Sequence, residues 1–144
     1  GCVDMVLLDF VQPVPVTISE EVHTIIAAQQ GRRLALHLGF SAVQQTALCT
    51  AILEITRNIV KYAGSGEITL EIVTEDARSG VRVVARDNGP GIADIALAMR
   101  DGYSTGRTLG LGLPGARRLM DDFDLQSAPG QGTIVTMTKW QAHP

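Results

Sequence analysis

The chain has 144 residues, of which 45% are hydrophobic and 19% are charged, and its formal net charge is −3 at pH 7. This length suits one domain that buries roughly two thirds of the surface of its unfolded chain, without a metal ion or a disulfide. The slightly acidic balance argues against nucleic-acid binding, which depends on basic residues that neutralise phosphates.

Cysteine content and hydropathy favour a cytoplasmic protein. Cys2 and Cys49 provide neither a disulfide framework nor metal-ligand spacing, which suits a reducing compartment. No apolar run approaches the roughly 18 residues of a membrane span, and no charged leader precedes an apolar stretch. We therefore expect no membrane association, and partners that are proteins or small molecules.

The first part of the chain predicts two strands and two helices. Apolar runs at residues 3–9 and 14–18 are separated at Pro13 and predict the strands. Ser19 as N-cap, followed by acidic residues, predicts a helix to about His37. The apolar stripe of this helix is expected to consist of Val22, Ile25 and Ile26.

A capping box at residues 41–44 begins the second helix. Its apolar residues recur at helical spacing, and these are Leu48, Ile52, Ile55 and Ile59. We expect this helix to be long and well packed.

The rest of the chain predicts two hairpins and two further helices. Residues 67–73 and 81–85 alternate in polarity and predict a hairpin with its turn at residues 77–80. Helices are expected at residues 95–99 and 114–121, and the closing hairpin pairs residues 123–125 with 133–140. This order predicts an α+β two-layer sandwich, with helices on one face of a mainly antiparallel sheet.

Residues 110–115, Gly-Leu-Gly-Leu-Pro-Gly, match the pattern of a dinucleotide-binding turn. That interpretation requires a preceding apolar strand, whereas residues 102–108 are polar and rich in glycine. The Rossmann interpretation is therefore disfavoured. What the pattern does indicate is flexible backbone that leads into a helix N-terminus, which suits an anion such as phosphate.

Glu54 and Asn58 lie four residues apart, so they share one face of the second helix. Taken alone, the pair fits the solvated edge of an amphipathic helix. The functional interpretation is a carboxylate that accepts a proton and an amide oxygen that binds Mg²⁺ in a cleft.

Asp87 stands where a predicted strand gives way to the loop Asn-Gly-Pro-Gly. Taken alone, this is an ordinary turn. A carboxylate at the end of a strand can, however, accept a hydrogen bond from an exocyclic amine such as the N6 group of adenine.

The order and spacing of these clusters carry a specific resemblance. Residues 54–62, 87–91, 110–113 and 132–133 resemble the N, G1 and G2 boxes and the closing Gly-Thr of the GHKL ATPases, which include gyrase, Hsp90, histidine kinases and MutL. Within that group, residues 16–140 are similar to serine kinases of the anti-sigma-factor type, among them the stressosome switch kinases. The resemblance implies a Bergerat ATP-binding fold in a single domain, 1–144. Residues 1–15 lie outside the range of the resemblance and are interpreted as an extra strand or as residues left from cloning.

The resemblance implies ATP and Mg²⁺ as ligands and assigns roles to individual residues. Asn58 matches the Mg²⁺ ligand, and Glu54 matches the carboxylate proposed as general base. Asp87 matches the residue that binds adenine, while Gly89 and Gly91 match the loop that admits the base.

Further matches concern the phosphates and the far side of the base. Gly110 and Gly112 match the phosphate-binding glycines of an ATP lid, and Thr133 matches a threonine that supports adenine through water. Lys61 or Arg107 is expected on the γ-phosphate and Tyr62 beside adenine, although core or surface packing is an equally open interpretation for Lys61 and Tyr62.

The chain also departs from some relatives. His23, His37 and His143 lie in no phosphorylation box, which disfavours a two-component histidine kinase, and the chain is too short for a transducer domain. The resemblance therefore implies a protein serine/threonine kinase that phosphorylates STAS-domain scaffold or antagonist proteins in a bacterial partner-switching stress pathway, with a PP2C-type phosphatase as a further partner. The alternative is an anti-sigma factor that sequesters a sigma subunit in a nucleotide-dependent way. A degenerate fold that binds no ATP is disfavoured by the intact motifs.

Overall fold

A computed structural model describes residues 12–100 and 112–142. The helices in these ranges are α1 (Glu21–His37), α2 (Ala42–Asn58), α3 (Ile95–Ala98) and α4 (Leu113–Leu119), and a π-helical turn, Ile59–Ala63, follows α2 directly. The strands are β1 (Val14–Ile18), β2 (Gly66–Glu75), β3 (Arg78–Asp87), β4 (Asp122–Ser127) and β5 (Thr133–Trp140).

The five strands form one sheet in the order β1-β2-β3-β5-β4, and each neighbouring pair is antiparallel. The helices α1 and α2 pack together and contact the strands. The predicted α+β sandwich is therefore confirmed, as are the strand at residues 14–18 and both hairpins. The strand predicted at residues 3–9 lies outside the described residues. No helix in the described ranges is long and apolar enough to cross a membrane.

The core lies between the sheet and α2. Alternate residues of β2, β3 and β5 are buried on the side that faces the helices, since side chains alternate between the two faces of a strand. The predicted apolar row of α2 packs against them. This part of the core includes Leu48, Ile52, Ile55, Ile59, Ile68, Leu70, Val83 and Met137.

The prediction for α1 was wrong in its orientation. Val22, Ile25 and Ile26 are 54%, 53% and 46% exposed. The residues that face the core are mostly small, namely Thr24, Ala27, Ala28, Gly31, Leu34 and Ala35. The reason is close packing on α2, because a Cβ atom at Gly31 would overlap the Ile52 side chain. Large aliphatic residues therefore have no room on the inner face.

The N-cap of α1 and the turn of the first hairpin also differ from prediction. Glu20, not Ser19, is the N-cap, and its N–H donates to Nδ1 of His23 at 3.2 Å. The hairpin turns at Asp76 and Ala77, whose φ angles of 50° and 64° are those of a two-residue turn. Gly80, which suggested the turn, lies within β3, where a Cβ atom would be 2.8 Å from the Trp140 ring.

Helix α4 is shorter than the predicted 114–121. It begins after Gly112, the N-cap, and ends at Leu119. Asp121 instead joins the sheet, where its N–H donates to the Thr138 carbonyl at 2.9 Å and its carboxylate accepts the Trp140 N–H at 2.6 Å. These bonds compete with continuation of the helix.

Candidate nucleotide-binding site

A cavity of about 260 Å³ lies between the end of α2 and one end of the sheet. This volume is near the small end of ligand pockets and accommodates a ring system such as a nucleobase. Most of its wall is apolar, with a few polar side chains. It is lined by Ile55, Asn58, Ile59, Tyr62, Ala63, Ala85, Asp87, Pro90, Gly91, Ile92, Ala93, Asp94, Leu113, Thr133 and Val135.

Three polar residues form a row across the end of the sheet. Asp87 ends β3 and pairs with Thr133, the first residue of β5, and Thr133 pairs in turn with Ser127, the last residue of β4. Because the preceding alternate residues of each strand pack against the core, the row lies on the helix-facing side of the sheet. The sheet thus places a carboxylate and two hydroxyls beside the cavity.

The Asp87 carboxylate is held by its own loop. Its Oδ1 accepts the N–H of Gly89 at 2.8 Å, and a carboxylate that is ionised can only accept hydrogen bonds. Gly89 itself lies behind the cavity wall, where a Cβ atom would be 2.7 Å from Cβ of Ala63. A glycine is therefore needed there for the loop to approach the π-helical turn.

The loop after Asp87 is fastened to the β4–β5 turn. The Gly130 N–H donates to the Pro90 carbonyl at 2.8 Å. Gly91 has φ of 75°, and a Cβ atom there would overlap the Ala128 carbonyl. Gly91 was predicted to belong to the loop that admits the base. The close approach of the Ala128 carbonyl is a second reason for a glycine at this position.

Ser127 is a residue of this site that sequence reasoning missed. Its Oγ accepts the N–H of Ile92 at 2.8 Å, donates to the Gly132 carbonyl at 2.8 Å and lies 2.8 Å from the Thr133 hydroxyl. The sequence does contain a signal for Ser127. Phe123 and Leu125 occupy the alternate positions of β4 that face the helices, and Ser127 is a polar residue at the next such position. Ser127 joins the Asp87 loop to the start of β5.

The helical side of the cavity comes from the end of α2 and the π-helical turn. Asn58 and Tyr62 both line the cavity. Lys61 is exposed and does not line it, but its Nζ lies 5.2 Å from the centroid of the Tyr62 ring. π-helical turns often occur at functional sites, and this one was not predicted from the sequence.

Glu54 lies outside the cavity lining, at the start of α4. A Cβ atom at Gly112 would overlap Oε2 of Glu54, so a larger residue there would displace the carboxylate, and φ of 65° at Gly112 favours glycine. Leu113 follows and lines the cavity. The predicted general base, Glu54, and one predicted lid glycine, Gly112, therefore lie next to each other. Arg107 and Gly110 lie outside the described residues.

Comparison with known proteins identifies the family of the chain. Residues 43–143 match the model of the histidine kinase-, DNA gyrase B- and HSP90-like ATPase family. The chain is 47% identical over 125 residues to the serine/threonine-protein kinase RsbT of Bacillus subtilis (strain 168), covering 87% of this chain and 94% of RsbT. It is 32% identical over 97 residues to an anti-sigma F factor of Caldanaerobacter subterraneus subsp. tengcongensis, covering 63% of this chain and 66% of that protein.

A solved structure supports the fold. The crystal structure of the RsbU and RsbW domains of a Mycobacterium tuberculosis protein matches with a TM-score of 0.60 and 17% sequence identity, covering 90% of this chain and 32% of that chain. With the family model matching residues 43–143, the chain belongs to the histidine kinase-, DNA gyrase B- and HSP90-like ATPases, the GHKL family.

Proposed function

We propose that the chain is an ATP-dependent protein serine/threonine kinase and switch protein, whose substrates are STAS-domain proteins of a bacterial partner-switching stress pathway. The observation that carries the proposal is the lining of one cavity by Asp87, Thr133 and Asn58, with Glu54 one helical turn before Asn58. The 47% identity to RsbT over 87% of this chain supports the choice of a kinase.

Adenine is the base that the cavity suits. Asp87 supplies an acceptor for the exocyclic amine, and Thr133 stands beside it in the sheet. The apolar wall and the Tyr62 ring, which line the cavity, are proposed to pack against the base. We assign the sugar and phosphates to the side of the cavity toward α4.

Mg²⁺ fits the donor set beside the cavity. The amide oxygen of Asn58 would hold it, because Mg²⁺ prefers oxygen ligands and takes most of them from nucleotide phosphates and water rather than from a protein cage. The described residues contain no group of three or more His, Cys, Asp or Glu that could hold a metal ion. When bound, the ion neutralises phosphate charge during transfer. We assign the lid backbone at Gly110 and Gly112, and Lys61 or Arg107, to the phosphates.

Glu54 is the proposed base of the transfer step. The partner's hydroxyl oxygen forms a bond to the γ-phosphorus, the bond from that phosphorus to the β–γ bridging oxygen breaks, and ADP leaves. The hydroxyl proton passes to the Glu54 carboxylate. This carboxylate lies beside Gly112, the N-cap of α4 and a residue of the proposed lid.

The proposed partners are those that the resemblance to partner-switching kinases implies. A STAS-domain scaffold or antagonist presents the hydroxyl, a PP2C-type phosphatase binds the released kinase, and the setting is the cytoplasm. The 32% identity to an anti-sigma F factor favours one alternative function, nucleotide-dependent sequestration of a sigma subunit. A sigma factor that co-purifies with the chain, in place of a STAS protein, would support the alternative.

The test is single-turnover phosphorylation of STAS proteins from the same genome by the parent and by Glu54→Gln. Glutamine keeps the size and hydrogen bonding of the side chain but cannot take the proton. We expect Mg·ATP binding to persist and phosphate incorporation to fall by about 10²- to 10⁴-fold.

Glu71→Gln is the matched control. Glu71 lies on β2, 3.7 Å from Arg82 across the strand pair and outside the cavity lining, so its substitution should leave transfer unchanged. Near-parental transfer by Glu54→Gln would remove Glu54 from the mechanism. No transfer to any STAS protein by the parent would refute the kinase proposal in favour of the sigma-binding alternative.

A further inference from the structure

The hydrogen bonds around Ser127 determine which way each proton points. A serine hydroxyl has one proton to donate and two lone pairs to accept. The Gly132 carbonyl, 2.8 Å from Oγ of Ser127, can only accept, and the Ile92 N–H can only donate. The single Ser127 proton is therefore directed to Gly132.

This leaves one arrangement for the Thr133 hydroxyl, whose oxygen is 2.8 Å from that of Ser127. If Ser127 donated to Thr133 instead, its oxygen and the Gly132 carbonyl would face each other at 2.8 Å with no proton between them. Thr133 must therefore donate its proton to Ser127. Any other hydrogen bond of the Thr133 hydroxyl can only be one that it accepts.

The consequence concerns the polar wall of the cavity. Asp87 and Thr133, adjacent in the sheet, both line the cavity and both accept hydrogen bonds. A wall of acceptors complements a ring that carries an amino group and opposes a ring that carries a carbonyl at the same position, because two acceptors repel and neither is satisfied.

We propose that Ser127 is a specificity-determining residue: by taking the proton of Thr133, it selects a 6-amino purine nucleotide over a 6-oxo purine nucleotide. Ser127 acts through Thr133 and is a positioning residue. The inference rests on the proposed function, in that the cavity is taken to hold the base of a nucleotide.

The test compares binding of ATP and of inosine triphosphate by titration calorimetry in Mg²⁺, because the two differ at the 6-position and in the N1 proton. The parent should prefer ATP. In Ser127→Ala the Thr133 hydroxyl no longer donates to residue 127 and can donate to a 6-oxo group instead. The ratio of ATP affinity to inosine triphosphate affinity should therefore fall by about tenfold. Ser127→Thr, which keeps the hydroxyl, should restore it.

Thr133→Val separates this role from a structural one. It should narrow the preference as Ser127→Ala does, and adding Ser127→Ala to it should change the preference no further. Ser79→Ala is the matched control, since Ser79 makes a hydroxyl pair with Thr74 at 3.5 Å in the β2–β3 hairpin, near the end away from Asp87. It should leave the preference unchanged.

Two outcomes would overturn the inference alone. One is that Ser127→Ala leaves the ratio of the ATP and inosine triphosphate affinities unchanged. The other is that adding Ser127→Ala to Thr133→Val narrows this ratio further. If Ser127→Ala does not fold, Ser127→Cys keeps a side-chain atom at this position, with a somewhat larger and much weaker acceptor, and should show the same narrowing. A parent that binds neither nucleotide would overturn the proposed function, and this inference with it.

Discussion

Substitution of Asp87 by asparagine tests the assignment of the base-binding carboxylate. Oδ1 of Asp87 accepts the Gly89 N–H at 2.8 Å. The asparagine carbonyl oxygen can take over this bond, so the new NH2 group will stand where the second carboxylate oxygen was. A donor will then face the proposed donor on adenine, and the loop will keep its anchor.

The expected loss follows from the kind of bond removed. A hydrogen bond to a charged group contributes about 1.5–3 kcal/mol, which corresponds to a fall in ATP affinity of about tenfold to 150-fold. Long-range electrostatics alone predicts that ATP affinity rises instead, because removal of a negative charge favours an anionic ligand. The direction of the change therefore distinguishes a direct contact from a long-range effect.

Titration calorimetry with ATP measures the affinity, and thermal unfolding without nucleotide checks that the fold survives, with a midpoint change below about 4 °C. Asp94→Asn is the matched control. Asp94 also lines the cavity, but its Oδ1 caps α3 through the Leu97 N–H at 3.0 Å, a bond that asparagine can also make. Its ATP affinity should stay at or above that of the parent. Unchanged or tighter binding in Asp87→Asn would refute the assignment.

Three further predictions concern the metal, the loop and the buried thiol. Asn58→Ala should abolish most of the Mg²⁺-dependent tightening of ATP binding, measured by titration with and without Mg²⁺. Gly91→Ala should lower stability by more than about 2 kcal/mol in urea unfolding, because φ of 75° disfavours alanine and the added Cβ meets the Ala128 carbonyl. Burial raises the pKa of the Cys49 thiol, more than Arg32 lowers it. The folded state therefore holds this proton more tightly than the unfolded state, and stability should fall as pH rises above about 8.5.

The Gly91 and Cys49 predictions each have a comparison variant, and the Asn58 prediction has a contradicting outcome. An Asn58→Ala protein that responds to Mg²⁺ as the parent does would leave Asn58 as a polar face residue only. Gly130 has φ of 74°, and no atom lies within 4 Å of a Cβ added there. Gly130→Ala therefore measures the loss of stability from the backbone conformation alone, about 1–2 kcal/mol. Equal losses at Gly91 and Gly130 would refute the packing argument. Cys49→Ala should flatten the alkaline decline relative to the parent, and an identical decline would assign it to other groups.

Local patterns predicted the elements and much of the candidate site. Alternation in β2 and β3 and helical spacing in α2 report burial directly, and the motifs that contain Asn58, Asp87 and Thr133 do meet at one cavity. Such patterns depend on neighbours along the chain, and in these segments the tertiary contacts agree with the local preference.

Three of the failures share one physical origin, which is contact between distant segments. The inner face of α1 is decided by how closely α2 approaches Gly31, and polarity along α1 does not encode that distance. Gly80 marks the approach of β5 rather than a turn. The hydrogen bonds of Ser127 include one from Ile92, in a loop 35 positions away in sequence.

The placement of Trp140 decides which optical signal can follow this protein. It is the single tryptophan, 6% exposed, with Nε1 donating to Asp122 at 2.8 Å and the Arg78 guanidinium 4.0 Å from its ring centroid. It ends β5, seven positions from Thr133, which is roughly 23 Å along an extended strand. Its emission should therefore shift to the red when the sheet opens and stay nearly constant when the cavity is filled. Tryptophan fluorescence will measure folding of this chain without interference from nucleotide, and a nucleotide titration will need a label of its own.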